Sequence, residues 1–429
     1  MDKTVVNNAF WIIGCKVCKA VLTLLVNMIT ARYLGVADYG VLNYAASIVT
    51  FVTPIMKLGL DGILVKEYIE KSDKTGETIG TAYILNVCSA ILCVVGVFFF
   101  TMIVNASEID TIITCTIYSV LLLFQAFEMI QYWFQAKLMS KYSAISMLVA
   151  YVVVTVLQIF LIFIKAPVYL FALSSSVDYA IIALILFVVY KHESCYRVSF
   201  SFARAKELLK GGRYFIVAEL LVVVFSQTDM VMLKLMTGNS SAGIYAAAQK
   251  CAGMVSFVFV AIIDSIRPTV FSAKTKEERD LRMKEMYSII IYLSFIVSVI
   301  ITLFSDCIIY IMYGTGYAEA GLVLRVAVWF TTFSYLGTIR NVWLLSEHRE
   351  KFIIHVNIVG AISNVLLNYF FIRLWGPMGA AISSLLTQVI ANVLMSQLLV
   401  PVRYSNKLLF NSLNPRFFVG LLKRLCYKK

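Results

Sequence analysis

Six basic side chains, Lys16, Lys19, Lys57, Lys250, Arg325 and Arg340, stand inside long apolar runs of this sequence. A cation at the centre of a membrane helix costs about 2.5–3.5 kcal/mol on insertion scales, so six uncompensated ones would be expensive. Lys16, Lys57 and Arg340 are close enough to helix ends to snorkel, and Lys57 could pair with Asp61 one turn further on. Alternatively the six surround a hydrated cavity. Such a cavity suits an anion, and a phosphate or diphosphate is the natural guest for several Lys and Arg donors. Glu128, Glu219 and Asp229 are the acidic counterpart. They would neutralise the lysines or take up the Na⁺ or H⁺ that drives a transport cycle.

Helical spacing gathers these residues into stripes. Lys16, Lys19, Thr23, Asn27 and Thr30 share one face, and so do Asn43, Ser47, Thr50, Pro54, Lys57 and Asp61. A third stripe holds Tyr118, Gln125, Glu128, Tyr132 and Gln135, and a fourth holds Asn357, Asn364 and Asn368. Lys250 aligns with Asp264, and Glu219 with Ser226 and Asp229. Asn27, Gln125 and Asn364 are therefore candidate polar lining. Enzyme chemistry has less to work with. His192, His348 and His355 lie in or beside loops, and no metal site, nucleotide loop or nucleophile constellation is expected. Most of the nine cysteines lie in apolar runs and read as small hydrophobes, and the Cys15–Cys18 pair has no second pair and no nearby histidine.

The elements that must hold these stripes follow from composition. The 429 residues are 61% hydrophobic and 14% charged, whereas soluble domains run near 45–50% apolar and about 25% charged. A water-soluble fold is excluded. Apolar runs bounded by charge or Gly/Pro give twelve segments, about 10–33, 39–62, 78–104, 111–136, 143–165, 168–190, 212–235, 243–266, 286–313, 318–345, 352–373 and 378–402. All are expected to be helices, since an open strand edge in lipid leaves backbone groups unpaired. The stretch from Phe10 is too long for a signal peptide and reads as the first span.

Of the 37 Lys and Arg residues, 27 fall on the side of the N-terminus, four on the other side and six within spans. The positive-inside rule then places both termini in the cytoplasm. The net charge of +13 follows from this topology, and no nucleic-acid partner is expected. Beyond residue 404 the tail interleaves Arg416, Lys423, Arg424, Lys428 and Lys429 with Phe417, Phe418, Leu421, Leu422 and Leu425, the pattern of an interfacial helix on an anionic leaflet.

A shift of 203 residues overlays Gly35 on Gly238, Gly40 on Gly243, Ala45 on Ala248 and Asp61 on Asp264. Both glycine pairs sit between the first two spans of a half, so the halves are read as a parallel repeat of six spans each, a recurrent transporter design. The expected organisation is a six-helix bundle over 1–190, a basic linker over 191–211, a second bundle over 212–404 and a basic amphipathic tail over 405–429.

The run Ala31-Arg32-Tyr33-Leu34-Gly35-Val36-Ala37-Asp38-Tyr39-Gly40, then Leu58-Gly59-Leu60-Asp61-Gly62 and Lys66-Glu67, resembles the Wzx-type polysaccharide repeat-unit flippases. These belong to the multidrug/oligosaccharidyl-lipid/polysaccharide (MOP) exporter superfamily. Gly212-Arg213-Tyr214-Phe215, Asp229 and Gly243-Ile244-Tyr245 resemble that family's seventh and eighth helices. The resemblance implies an all-α fold of two pseudo-symmetric six-helix bundles in a V, sited in a bacterial plasma membrane. It further implies that an undecaprenyl-diphosphate-linked glycan is moved outward by alternating access, alongside a polysaccharide polymerase and glycosyltransferases. No cofactor beyond a coupling Na⁺ or H⁺ is expected. A multidrug or cation antiporter of the same superfamily and a membrane-embedded glycan polymerase or ligase are the alternatives. Short external loops speak against the polymerase, and a cation-rich interior against the antiporter.

Overall fold

With lipid as solvent, each helix turns apolar side chains outward. Leu92, Ile103, Phe163 and Leu303 are among the most exposed large hydrophobic residues of the chain. The computed structural model describes the backbone of residues 3–193, 196 and 198–427, and the side chains of 22–71, 73–193, 196 and 198–421. Lys16 and Lys19 lie on helical backbone but outside the described side chains.

Ten described helices are long and apolar enough to cross a membrane. They are α1 (Leu22–Glu70), α2 (Thr75–Val104), α3 (Ile109–Ala136), α4 (Ser140–Phe163), α5 (Val168–Glu193), α6 (Phe202–Thr237), α7 (Asn239–Phe271), α8 (Lys276–Tyr313), α9 (Glu319–Ser346) and α10 (Lys351–Leu398). Two of them are double. α1 breaks at Gly35 (φ 72°, ψ 178°), and α10 breaks at Gly376 (φ 52°, ψ −126°) just before Pro377. Eight single spans and two broken helices of two spans each make the twelve spans of a multi-pass, all-helical membrane protein. No strand occurs among the described residues. Gly238 (φ 93°, ψ −178°) repeats the backbone conformation of Gly35 at the equivalent turn of the second half. That conformation is closed to most residues with a Cβ.

The chain forms two compact units, Met1–Val223 and Val224–Lys429. The division falls inside α6, downstream of the basic segment 191–211 where the sequence suggested it. The first half of α6 is held within the first unit by backbone packing. A Cβ on Gly59 would run into the Gly212 carbonyl, and one on Gly212 into the Leu58 carbonyl. Gly62 leaves room for the Phe215 ring in the same way. Upstream, Arg204 is buried and donates to Glu67 and Glu207, both at 2.5 Å, and to Thr78 at 3.0 Å. Lys71 also reaches Glu207 and Glu67, and these carboxylates, Glu207 first, hold its ammonium above the ordinary lysine range.

In the first unit Leu60, Leu64 and Tyr68 of α1 pack on Ile130, Trp133 and Phe134 of α3 and on Leu186 and Tyr190 of α5. In the second, Phe259 and Ile263 of α7, Tyr287 and Ile290 of α8 and Ile339 and Trp343 of α9 form the core, with Leu408 and Leu409 of a short helix, α11 (Arg403–Ser412). The tail forms helix α12 (Pro415–Tyr427). Phe418 stacks on Tyr292 at 4.3 Å, and the Tyr292 hydroxyl donates to the Leu413 carbonyl at 2.7 Å. Side chains from Leu422 onward, which complete the predicted basic and apolar faces, lie outside the described residues.

Candidate functional site

The second and fourth spans carry polar stripes that meet within the first unit. Lys57 closes a helical run that continues unbroken from Gly35 and contains Pro54. Its ammonium lies 2.8 Å from Glu128, the two side chains being 20% and 19% exposed. The expected pairing with Asp61 is not the one formed. Leu58 and Gly59 adopt left-handed conformations (φ 55° and 63°), which ends the helix between residues 57 and 61 and leaves the long side chain to find its acid on α3. Gln125 donates to the same carboxylate at 3.3 Å, while its own carbonyl oxygen is buried without a hydrogen-bond partner.

Beside this pair opens a cavity of about 600 Å³. Lys57, Gln125 and Glu219 line it, together with Thr50, Thr53, Tyr118 and Tyr179. The Glu219 carboxyl adjoins that of Asp61. Lys57 is thus the one described basic residue in the lining, and it faces more carboxyl groups than it can balance. Asn27, expected as polar lining, is not among the residues around this cavity; its amide donates to the Thr23 carbonyl of its own helix at 2.7 Å.

The second unit holds a separate polar centre. Asp229 is 5% exposed and completely surrounded. Asn364 and Asn368 donate to its Oδ1 at 2.8 and 2.6 Å. Tyr245 donates to Oδ2 at 2.8 Å, and Ser384 bonds the same oxygen. Gln249 donates to the Tyr245 hydroxyl at 2.5 Å. Every one of these partners is neutral. The Asn368 carbonyl oxygen, beside this carboxylate, has no hydrogen-bond donor. The i, i+4 asparagine stripe marked this centre in the sequence; Ser384 and Gln249 carried no such signal.

The remaining basic candidates of the second unit do not converge. Arg325 and Arg340 lie fifteen residues apart on α9, about 22 Å along a helix axis. Arg325 bonds Asp306, whose side chain is 65% exposed. Arg340 is 3% exposed and donates at 3.0 Å to the Ala391 carbonyl, Asn392 and Asn341. Residues 390–394 form a π-helical turn, so Arg340 caps backbone and amide oxygens displaced by that turn. Lys250 is exposed. Its expected line to Asp264 is broken between Gly253 and Ser256, and Asp264 pairs with Arg267 at 3.0 Å. Among the described residues no group of three His, Cys, Asp or Glu could hold a metal ion.

The fold has close counterparts among solved structures. The lipid II flippase MurJ in an inward closed conformation aligns with a TM-score of 0.70 at 15% identity, covering 96% of this chain and 92% of that one. An inward-facing multidrug resistance MATE family transporter of the MOP superfamily aligns at 0.67 and 13% identity, covering 94% and 96%. A MOP superfamily transporter from Pyrococcus furiosus, described as having a binding pocket of reversed polarity, aligns at 0.61 and 13%, covering 96% of each chain. No curated protein sequence matches. The MOP fold expected from the sequence is therefore the fold observed. The sequence model of one family, described as polysaccharide biosynthesis protein, matches residues 5–274, more than half of the 429. This chain belongs to the polysaccharide biosynthesis protein family.

Proposed function

We propose that this protein is a flippase that carries a polyprenyl-diphosphate-linked glycan, with undecaprenyl as the lipid, from the cytoplasmic to the outer leaflet by alternating access. Family membership across residues 5–274 carries the reading. Two polar centres inside apolar helices support it, because polar groups at membrane depth are costly and mark transport paths. Of the six basic residues first considered for the diphosphate, Lys57 and Arg325 are answered by carboxylates, whereas Arg340 has only neutral partners. The diphosphate is therefore assigned to Arg340, while Lys16 and Lys19 remain candidates by sequence alone. Asp229 is the proposed coupling site for Na⁺ or H⁺. A carboxylate ringed by neutral donors, next to an unpaired amide oxygen, has the oxygen ligands that a small cation requires.

A cell lacking the protein should accumulate the lipid-linked glycan on the cytoplasmic leaflet and lose surface glycan. Unchanged lipid-linked glycan would reject the reading. A cation antiporter is the second reading, favoured by the carboxyl excess around Lys57; it predicts altered resistance to cationic drugs with surface glycan intact.

A further inference from the structure

The cavity of the first unit has a hydrogen-bonding polarity that its residue types alone do not reveal. Thr50 and Thr53 each spend their hydroxyl proton on their own helix, donating to Ala46 and Val49 at 2.8 Å. Both residues line the cavity, and with their protons spent the two hydroxyls are left to act as acceptors. Pro54 has no N–H, so the Thr50 carbonyl loses the donor that a helix would give it. Gln125, 6% exposed, lines the cavity while its carbonyl oxygen is buried without a partner. Glu219 adds a carboxyl, backed by that of Asp61. The ammonium of Lys57, the strongest donor in the lining, is engaged by Glu128. Tyr118 and Tyr179 add aromatic walls.

A wall rich in acceptors and in carboxyl groups repels an anion and takes a ligand that brings its own donors. We infer that this cavity seats a sugar residue of the cargo, prefers one carrying an amino group, and does not hold the diphosphate. A sugar presents many O–H donors around a ring whose apolar face lies against aromatic and aliphatic walls, and the cavity falls within the usual volume range of small-ligand sites. An ammonium on that sugar answers the Glu219 carboxyl. The inference rests on the reading of the cargo as a lipid-linked glycan.

The test is saturation-transfer NMR on the full chain in detergent, with methyl glucosaminide, methyl glucoside and inorganic diphosphate as probes. Both sugars should bind, the glucosaminide about tenfold tighter, as expected for one added charge-assisted hydrogen bond. Diphosphate should displace neither. Glu219→Gln should bring the two sugars within about twofold of each other. Thr53→Val, which keeps the side-chain shape and removes an acceptor, should weaken both by about threefold, and it carries the test if the first variant fails to fold. Equal affinities in the unaltered protein, displacement by diphosphate, or no binding of either sugar would overturn the inference. Failure of the flippase reading is observed separately, as absence of lipid-linked glycan accumulation in cells lacking the protein.

Discussion

Lys57 of the second span meets Glu128 of the fourth at 2.8 Å, bypassing Asp61, which lies four residues away on its own segment. The pair compensates a cation that would otherwise be costly at membrane depth, and its Lys57 lines the cavity in the first unit. Removing one partner of a largely buried pair leaves an uncompensated charge, whereas removing both exchanges it for apolar packing. Lys57→Met and Glu128→Leu should each destabilise the protein, by about 2 kcal/mol after allowance for the partial exposure of both groups. The double variant Lys57→Met/Glu128→Leu should recover at least half of that loss. Thermal unfolding in detergent, monitored by size exclusion, would show it. Additive losses in the double variant would mean that the two residues act independently.

Gly59 and Gly212 touch backbone to backbone, and Gly59 has a positive φ of 63°. Gly59→Ala and Gly212→Ala should each cost more than about 1 kcal/mol, since the added methyl meets a carbonyl and, at Gly59, a left-handed backbone. Gly96→Ala is the control. A Cβ there meets nothing within 4 Å, and the change should be neutral or slightly stabilising, as for any exposed helical glycine. Equal melting temperatures for all three variants would contradict this account of the packing.

The Arg204 guanidinium serves three partners from one plane. Arg204→Lys should therefore lose nearly as much stability as Arg204→Ala, because a point charge cannot reproduce the fork. Glu207→Gln should be milder, its side chain being 52% exposed. Proteolysis of the segment 194–201 that precedes α6 offers a direct measure: it should speed up in both arginine variants and remain close to normal in Glu207→Gln.

Asp229 is held by four neutral donors. If it couples an ion, Asp229→Asn should abolish the ion dependence of transport. A Na⁺ site would also raise the melting temperature of the unaltered protein with added NaCl, relative to choline chloride, in proportion to its occupancy. That rise should vanish in Asp229→Asn and persist in Lys57→Met. A NaCl effect identical in all three proteins excludes Na⁺ at this centre and leaves the proton, for which the pH dependence of transport should flatten in Asp229→Asn.

Hydropathy made the twelve spans legible, including the two breaks that fall within continuous helices, because Gly35 and Gly376-Pro377 interrupt apolar runs at points where the backbone must turn. The stripe through Asn364 and Asn368 pointed to a buried polar surface, and both residues serve Asp229. The motif around Gly59 and the one beginning at Gly212 stood 153 residues apart in the sequence, yet they form a single contact. Periodicity cannot choose between partners on different helices, which is why Lys57 looked equally suited to Asp61. It also cannot foresee a π-turn at 390–394, and the role of Arg340 follows from that turn. Acceptor or donor character at Thr50 and Thr53 depends on where each hydroxyl proton goes, a matter decided only in the folded helix.

Translocation itself can be observed with the purified chain in liposomes that carry a lipid-linked oligosaccharide. A membrane-impermeant glycosidase or lectin then reports the fraction of glycan in the outer leaflet over time. The account predicts that this fraction climbs toward equilibration with the intact protein, and that the rate falls at least tenfold in Arg340→Ala and Asp229→Asn while both variants remain folded and inserted. Leaflet exchange no faster than in protein-free liposomes would contradict it.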